Sequence, residues 1–243
     1  MKTRIDQLLV TRGLFDTRGR ARAAIEAGRV SVDGRTVAKP SEQVAEDAMI
    51  EAEAAHRWVG RGALKLDHAL TLWPVGVEGR VVLDVGASTG GFTEVCLDRG
   101  AARVFAVDVG FGQMHPSVSG DPRVTNLERT DARDLTPDVI TEPPELIVCD
   151  ASFISLAKVL PAALALAAPD ADLISLVKPQ FEQDGPGGVG KKGVVKDAVA
   201  QQGALAAAKA WLVAQGWSVR AEVESPILGG DGNVEFLTWA SRP

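Results

Sequence analysis

The sequence predicts an α/β fold: a mostly parallel sheet covered on both faces, preceded by a small, separate α+β module. Three observations predict it. From residue 80 onward, short β-branched apolar runs ending in a charged residue alternate with helix-patterned stretches, as in a sheet wound with crossover helices. The first of these runs opens into a glycine-rich loop. The first sixty residues have a different texture, with two short amphipathic segments and an alternating run around Asp33-Gly34. A chain of 243 residues is long enough for one or two domains and a large core.

The N-terminal module comes first. Ile5, Leu8 and Leu9 recur at helical spacing and Gly13 ends that helix. Asp16 or Thr17 can cap a second helix that runs to Ala27, with Gly28 past its end. Ala21, Ala24 and Ile25 form its apolar stripe, while Arg18 and Arg22 share another face. Val30 to Val37 alternates around Asp-Gly, a hairpin signal. Residues 1–40 hold nine Lys and Arg against four Asp and Glu, although the whole chain carries a net charge of −6. Five carboxylates then fall between Glu42 and Glu53. Charge alone leaves two readings open, an anion-binding face or a solvated helix surface. The stretch from Arg4-Ile5-Asp6-Gln7-Leu8-Leu9 through Ser31-Val32-Asp33-Gly34 and Val37 resembles the alpha-L RNA-binding domain of the ribosomal-protein-S-four type. That resemblance implies a module that docks structured RNA. Arg4, Arg18, Arg20, Arg22 and Arg61 are its candidate phosphate ligands, because guanidinium groups engage phosphates bidentately and fix position more than sequence.

Next, His56 to Gly62 holds two glycines, which mark a break in regular structure. The expected domains are 1–58, a linker at 59–63, and 64–243. Leu66, Ala69, Leu70 and Trp73 then follow i, i+3, i+4, i+7 spacing and predict a helix.

In the body, Arg80–Val85, Val104–Asp108, Leu146–Asp150 and Leu173–Lys178 read as strands buried on both faces. Val159–Ala168 and Ala204–Val213 read as helices between them, and Trp239 as a core residue. Ligands of such sheets bind at the carboxyl ends of the strands. Asp84, Asp108, Asp150 and Lys178 all fall at or beside those ends. The glycines do not match the dinucleotide spacing, and the loop lacks the Lys-Ser/Thr end of a P-loop. The stretch Asp84-Val85-Gly86-Ala87-Ser88-Thr89-Gly90-Gly91-Phe92 instead resembles the first motif of S-adenosylmethionine-dependent methyltransferases. The resemblance implies S-adenosyl-L-methionine as cofactor, with residues 84 to 92 cradling it and Asp108 accepting from its ribose hydroxyls. It also implies Asp131 as an adenine contact, although a turn-forming role fits that residue nearly as well. Asp84 on its own reads as a residue that orients the loop.

Lys65, Asp150, Lys178 and Glu235 each lie in a distinctive context: Arg61-Gly62-Ala63-Leu64-Lys65-Leu66, Cys149-Asp150-Ala151-Ser152-Phe153, Leu176-Val177-Lys178-Pro179-Gln180-Phe181 and Gly232-Asn233-Val234-Glu235-Phe236. This Lys-Asp-Lys-Glu order resembles the catalytic tetrad of RNA ribose 2'-O-methyltransferases. Together with the N-terminal module, residues 2–239 resemble the TlyA-type family of ribosomal RNA 2'-O-methyltransferases, historically called hemolysins, which have an FtsJ-like methyltransferase domain. The resemblance implies a Rossmann-like, class I methyltransferase domain with a seven-stranded sheet. It implies ribosomal RNA or ribosomal subunits as partner, cytidine as the target nucleoside, and a general base that we assign to Lys178. Asp150 is expected to orient that lysine, and Lys65 with Glu235 to position the ribose.

Other classes fit less well. Ser152, Ser155 and His115 lack nucleophile-elbow glycines. His56, His68 and His115 lack metal-ligand spacing with Cys96 and Cys149, so no metal is expected. No apolar run approaches the ~20 residues of a spanning helix, and no basic amphipathic helix suggests a cytolysin. Two cysteines and a mixed-charge N-terminus point to the cytoplasm. A non-enzymatic ribosome-assembly factor is the competing class. Gln183 to Gly193 reads as either a linker or a flap over RNA. Oligomeric state is not legible.

Overall fold

The computed structural model describes residues 1–182, 193–229 and 232–242. They fall into two compact units, Met1–Arg61 and Gly62–Pro243. The expected loop at 183–193 lies, but for its last residue, outside the described residues.

In the first unit, β1 (Lys2–Arg4) leads into α1 (Ile5–Thr11), followed by α2 (Arg18–Glu26). Thr17 caps α2, its side chain accepting from the Arg20 amide. A hairpin follows, β2 (Val30–Val32) and β3 (Arg35–Thr36), with Ser31 opposite Thr36. Asp33 and Gly34 both take positive φ in its turn, as a two-residue hairpin loop requires. β4 (Gln43–Ala45) pairs with β1, and β5 (Ile50–Ala52) with β2. These last two strands have too few apolar positions to show a period. Ile5, Leu8, Leu9, Ala21, Ala24, Ile25, Val30 and Val37 form the buried core, so the periods read from the sequence identify the inward faces.

The second unit begins with α3 (Ala63–Leu72), β6 (Val81–Val85), α4 (Gly91–Asp98), β7 (Arg103–Val107), α5 (Pro116–Ser119) and β8 (Val124–Leu127). It continues through β9 (Leu146–Cys149), α6 (Leu156–Val159), α7 (Pro161–Leu166), β10 (Asp172–Val177) and α8 (Pro179–Glu182). It ends with α9 (Ala198–Ala214), β11 (Ser218–Glu224) and β12 (Phe236–Ser241). The seven-stranded sheet has the order β11-β12-β10-β9-β6-β7-β8. Only β12 runs against the others. The central strands are apolar and buried along almost their whole length, as strands covered on both faces must be. The order reverses between β6 and β9, because the chain winds outward to β8 and then returns to the other side of β6. Strand ends diverge at such a reversal and leave a crevice there.

Three details differ from expectation. The helix expected over Val159–Ala168 is two short helices, because Pro161 has no N–H to continue the first and instead opens the second. The helix expected over Ala204–Val213 starts earlier, where Asp197 accepts from the Val199 amide. Trp239 is not a core residue: it is half-buried, stacks on Trp73 at 6.3 Å and donates Nε1–H to Asp172 at 2.7 Å. An indole keeps its N–H near a polar partner, which holds this ring at the margin of the core. Among the described residues, no helix is long and apolar enough to cross a membrane. Among the same residues, no group of three or more His, Cys, Asp or Glu side chains is placed to hold a metal ion.

Candidate active site

The glycine loop after β6 owes its path to close packing. Gly86 has φ 84°, and a Cβ there would lie 2.9 Å from the Ala151 backbone. Only glycine combines that torsion with that approach. Gly90, φ 90°, precedes α4, and a Cβ there would meet Val118 at 2.9 Å. Ser88, also left-handed, donates its amide to Asp108 Oδ2 at 2.8 Å. Asp108 follows β7, and its Oδ1 accepts from the Gly110 amide at 2.7 Å. One carboxylate therefore ties the loop after β6 to the loop after β7.

Asp84 sits behind this loop. It is fully buried within β6, and Thr93 donates its hydroxyl to Oδ2 at 2.6 Å. Its Oδ1 is buried with no hydrogen-bond partner. Burial pushes the Asp84 carboxyl up to about 7; the Thr93 hydrogen bond opposes the rise and the nearby Asp150 charge adds to it.

Two cavities open at the strand reversal. The larger, about 520 Å³, is lined by Gly86, Ser88, Asp108 and Asp131, with Val107, Ile154 and Val159 as apolar walls. The smaller, about 310 Å³, is lined by Ala87, Thr89, Gly91 and Phe92 together with Lys65, Asp150, Lys178 and Glu235. Gly86, Ser88, Asp150, Ser152 and Phe153 belong to both. Asp84 and Gly90 line neither and act from behind the loop. Asp131 caps a 3-10 turn by accepting from the Arg133 amide and also pairs with the Arg133 guanidinium. Those bonds hold its carboxyl down at about 2.

The four residues of the Lys-Asp-Lys-Glu pattern come from four elements: α3, the turn after β9, the end of β10 and the approach to β12. Lys65 Nζ lies 2.7 Å from Glu235 Oε2 and 3.6 Å from Asp150 Oδ2. Lys178 Nζ lies 2.6 Å from Asp150 Oδ1. Asp150 therefore bridges the two amines. Lys65, Lys178 and Glu235 are all buried, and buried charges persist when paired. Gly229 makes room for Glu235, since a Cβ there would collide with its carboxylate.

Sequence reasoning did not assign Thr93, Ser152 or Gln180 to this site. Ser152 accepts from Lys178 Nζ at 2.7 Å, and Gln180 lines the tetrad cavity. Their signal was proximity, two residues beyond Asp150 and Lys178 respectively, but a serine or glutamine in a turn has no spacing that marks it.

Of the arginines, Arg4 and Arg18 converge on Asp6, whose side chain is wholly buried, at 3.0 and 2.9 Å. Arg20 pairs with Asp16 at 3.1 Å and Arg22 with Glu26 at 3.8 Å. Arg61 closes the same unit. Arg18 and Arg22 are exposed and Arg4 and Arg20 half-buried, so phosphate binding at these four would be an exchange of partners.

A doubly wound sheet with one reversed strand, a cleft of small-molecule size at the strand reversal and a tetrad of amines and carboxylates on its rim together define a Rossmann-like methyltransferase. The comparisons narrow this. Residues 58–242 match the FtsJ-like methyltransferase family, and residues 3–50 match the S4 domain. The chain is 47% identical over 98% of its length to the 16S/23S rRNA (cytidine-2'-O)-methyltransferase TlyA of Mycobacterium tuberculosis, covering 89% of that protein. It is 34% identical over 96% of its length to Hemolysin A of Brachyspira hyodysenteriae, covering 98% of it. A solved structure from Streptococcus thermophilus, described provisionally as a hemolysin, superposes with a TM-score of 0.79 at 38% identity, over 99% of this chain and 88% of that one. The chain belongs to the TlyA-type family of methyltransferases, an S4 domain followed by an FtsJ-like domain.

Proposed function

We propose that this enzyme moves a methyl group from S-adenosyl-L-methionine to a ribose 2'-hydroxyl of ribosomal RNA, with cytidine as the target nucleoside. One observation carries the reading: Lys65, Asp150, Lys178 and Glu235 meet within 3.6 Å of one another's heads along a chain of contacts, in a cavity that shares its rim with the larger cleft. The names of the relatives support ribosomal RNA and cytidine.

The larger cleft fits the cofactor. Its apolar walls suit a purine, Asp108 offers carboxylate oxygens at the end of β7, and Gly86 leaves bare backbone at the rim. Asp131 borders the same space, and Ala87 to Phe92 form the other side of the loop, toward the tetrad. When bound, the cofactor supplies an electrophilic methyl group on a sulfonium.

A ribose hydroxyl is a weak nucleophile because its proton is held far above neutral pH. Lys178, as the free amine, takes that proton while the oxygen attacks, and finishes the step as an ammonium. Asp150 holds Nζ in place through Oδ1 and through its main-chain oxygen, which accepts at 3.1 Å. Lys65 and Glu235 fix each other and position the ribose. The N-terminal unit docks the RNA through Arg4, Arg18, Arg20, Arg22 and Arg61, and a ribosomal substrate places the enzyme in the cytoplasm.

The deciding experiment maps 2'-O-methyl groups on ribosomal RNA with and without the protein, using Lys178→Ala as control. Loss of a general base costs about 10²–10⁴-fold in rate; cofactor affinity should stay at the parental value. Parental activity in Lys178→Ala would refute the assignment.

A further inference from the structure

Lys178 has three near neighbours, and they are not equivalent. Asp150 Oδ1 lies 2.6 Å from Nζ and the Asp150 carbonyl oxygen 3.1 Å. Both can only accept, and a carboxylate favours the charged amine. The third neighbour is Ser152, whose Oγ lies 2.7 Å from Nζ. A hydroxyl accepts or donates by rotating about its C–O bond. Ser152 can therefore accept from the ammonium, and when Lys178 is the free amine it can donate to the nitrogen lone pair. Of these three neighbours, Ser152 alone can do both.

We propose that Ser152 is a positioning residue for Lys178, a hydroxyl whose rotation lets it hold the amine in place both before and after Lys178 takes the proton. The inference rests on Lys178 being the base. Its location fits: Ser152 lines both the cofactor cleft and the tetrad cavity, beside the reaction path. The other ionisable groups around Lys178 act differently. Lys65 reaches it only through Asp150. Glu235 is engaged with Lys65, and the Asp84 carboxyl and Cys149 thiol are buried behind the loop and within β9. None of them donates to Nζ. Without Ser152, the two Asp150 oxygens still hold the ammonium, but neither can donate to the free amine.

The test is kcat and KM for methylation of isolated ribosomal subunits at saturating cofactor, for the parent, Ser152→Ala and Ser152→Thr. Calorimetric cofactor affinity shows that each variant is folded. Ser152→Ala should lose about tenfold in kcat, the scale of one lost hydrogen bond to the amine, with KM at the parental value. Ser152→Thr keeps the hydroxyl and should follow the parent. A deficit in KM alone, no deficit, or a Ser152→Thr variant as impaired as Ser152→Ala would each overturn the proposal. Lys178→Ala serves as the separate control: if it is fully active, the base assignment falls; if it is dead while Ser152→Ala matches the parent, only Ser152's role falls.

Discussion

Asp84 and Asp6 are both buried carboxyls, and the fold treats them in opposite ways. Asp84 has one partner, Thr93, and an orphan oxygen, so burial dominates and lifts its titration from 3.8 to about 7. Between those values the native state holds a proton that the unfolded chain has released. Asp84 therefore stabilises the fold fully only below about pH 4, and this contribution is lost as pH rises toward 7. Asp84→Asn keeps an acceptor for Thr93 and carries no charge. Thermal unfolding from about pH 4 to 7 should show the parent falling relative to this variant; parallel profiles would refute the account. Asp6 has two guanidinium partners, Arg4 first and then Arg18, which hold it at about 2 against the opposing effect of burial. Its contribution is present above 3.8 and lost as pH falls toward 2. Asp6→Ala should destabilise the N-terminal unit by about 2 kcal/mol, the scale of hydrogen bonds to a charged group, with both arginines partly solvated and so discounted. Urea unfolding followed by hydrogen exchange in α1 and α2 measures it. No local pattern singles out Asp6, since an aspartate in the first turn of a helix is ordinary; only the fold shows that two arginines close over it.

At the scale of elements, the loop after β6 depends on what packs against it. Its glycines were legible in the sequence as a motif, but the reason for Gly86 was not: the Ala151 backbone, 65 residues further on, passes 2.9 Å from where a Cβ would stand. Gly86→Ala adds that contact to a left-handed torsion costing about 1–2 kcal/mol. Affinity for S-adenosyl-L-methionine should fall at least about tenfold by calorimetric titration, and parental affinity would show that the cleft does not depend on this approach. The strands β6, β7, β9 and β10 were readable because burial on both faces leaves an unbroken apolar run. The edge strand β11 was not, because Ser218–Glu224 is half solvated and carries charges along its length.

The whole molecule divides its charge between its units. The N-terminal forty residues hold a surplus of basic groups while the chain as a whole is acidic, which suits docking of a polyanion by one unit and chemistry in the other. If Arg4, Arg18, Arg20 and Arg22 each meet a phosphate, affinity for ribosomal subunits should fall about 10²-fold between about 50 and 200 mM salt. Cofactor affinity should barely move over that range, and equally flat RNA binding would remove the arginines from the interface. By itself the sequence determined the alternation of strands and helices, the capped and hairpin turns of the N-terminal unit, the glycine loop and the residue types available for catalysis. These depend on neighbours a few positions apart, where periodicity and turn chemistry act. The tertiary structure alone decided that Lys65 meets Glu235 across 170 positions, that Asp150 bridges both lysines, that Ser152 joins them and that Asp84 stands behind the cleft. Such meetings depend on where the strand order reverses and which loops the sheet brings to one edge, and no short-range pattern encodes them.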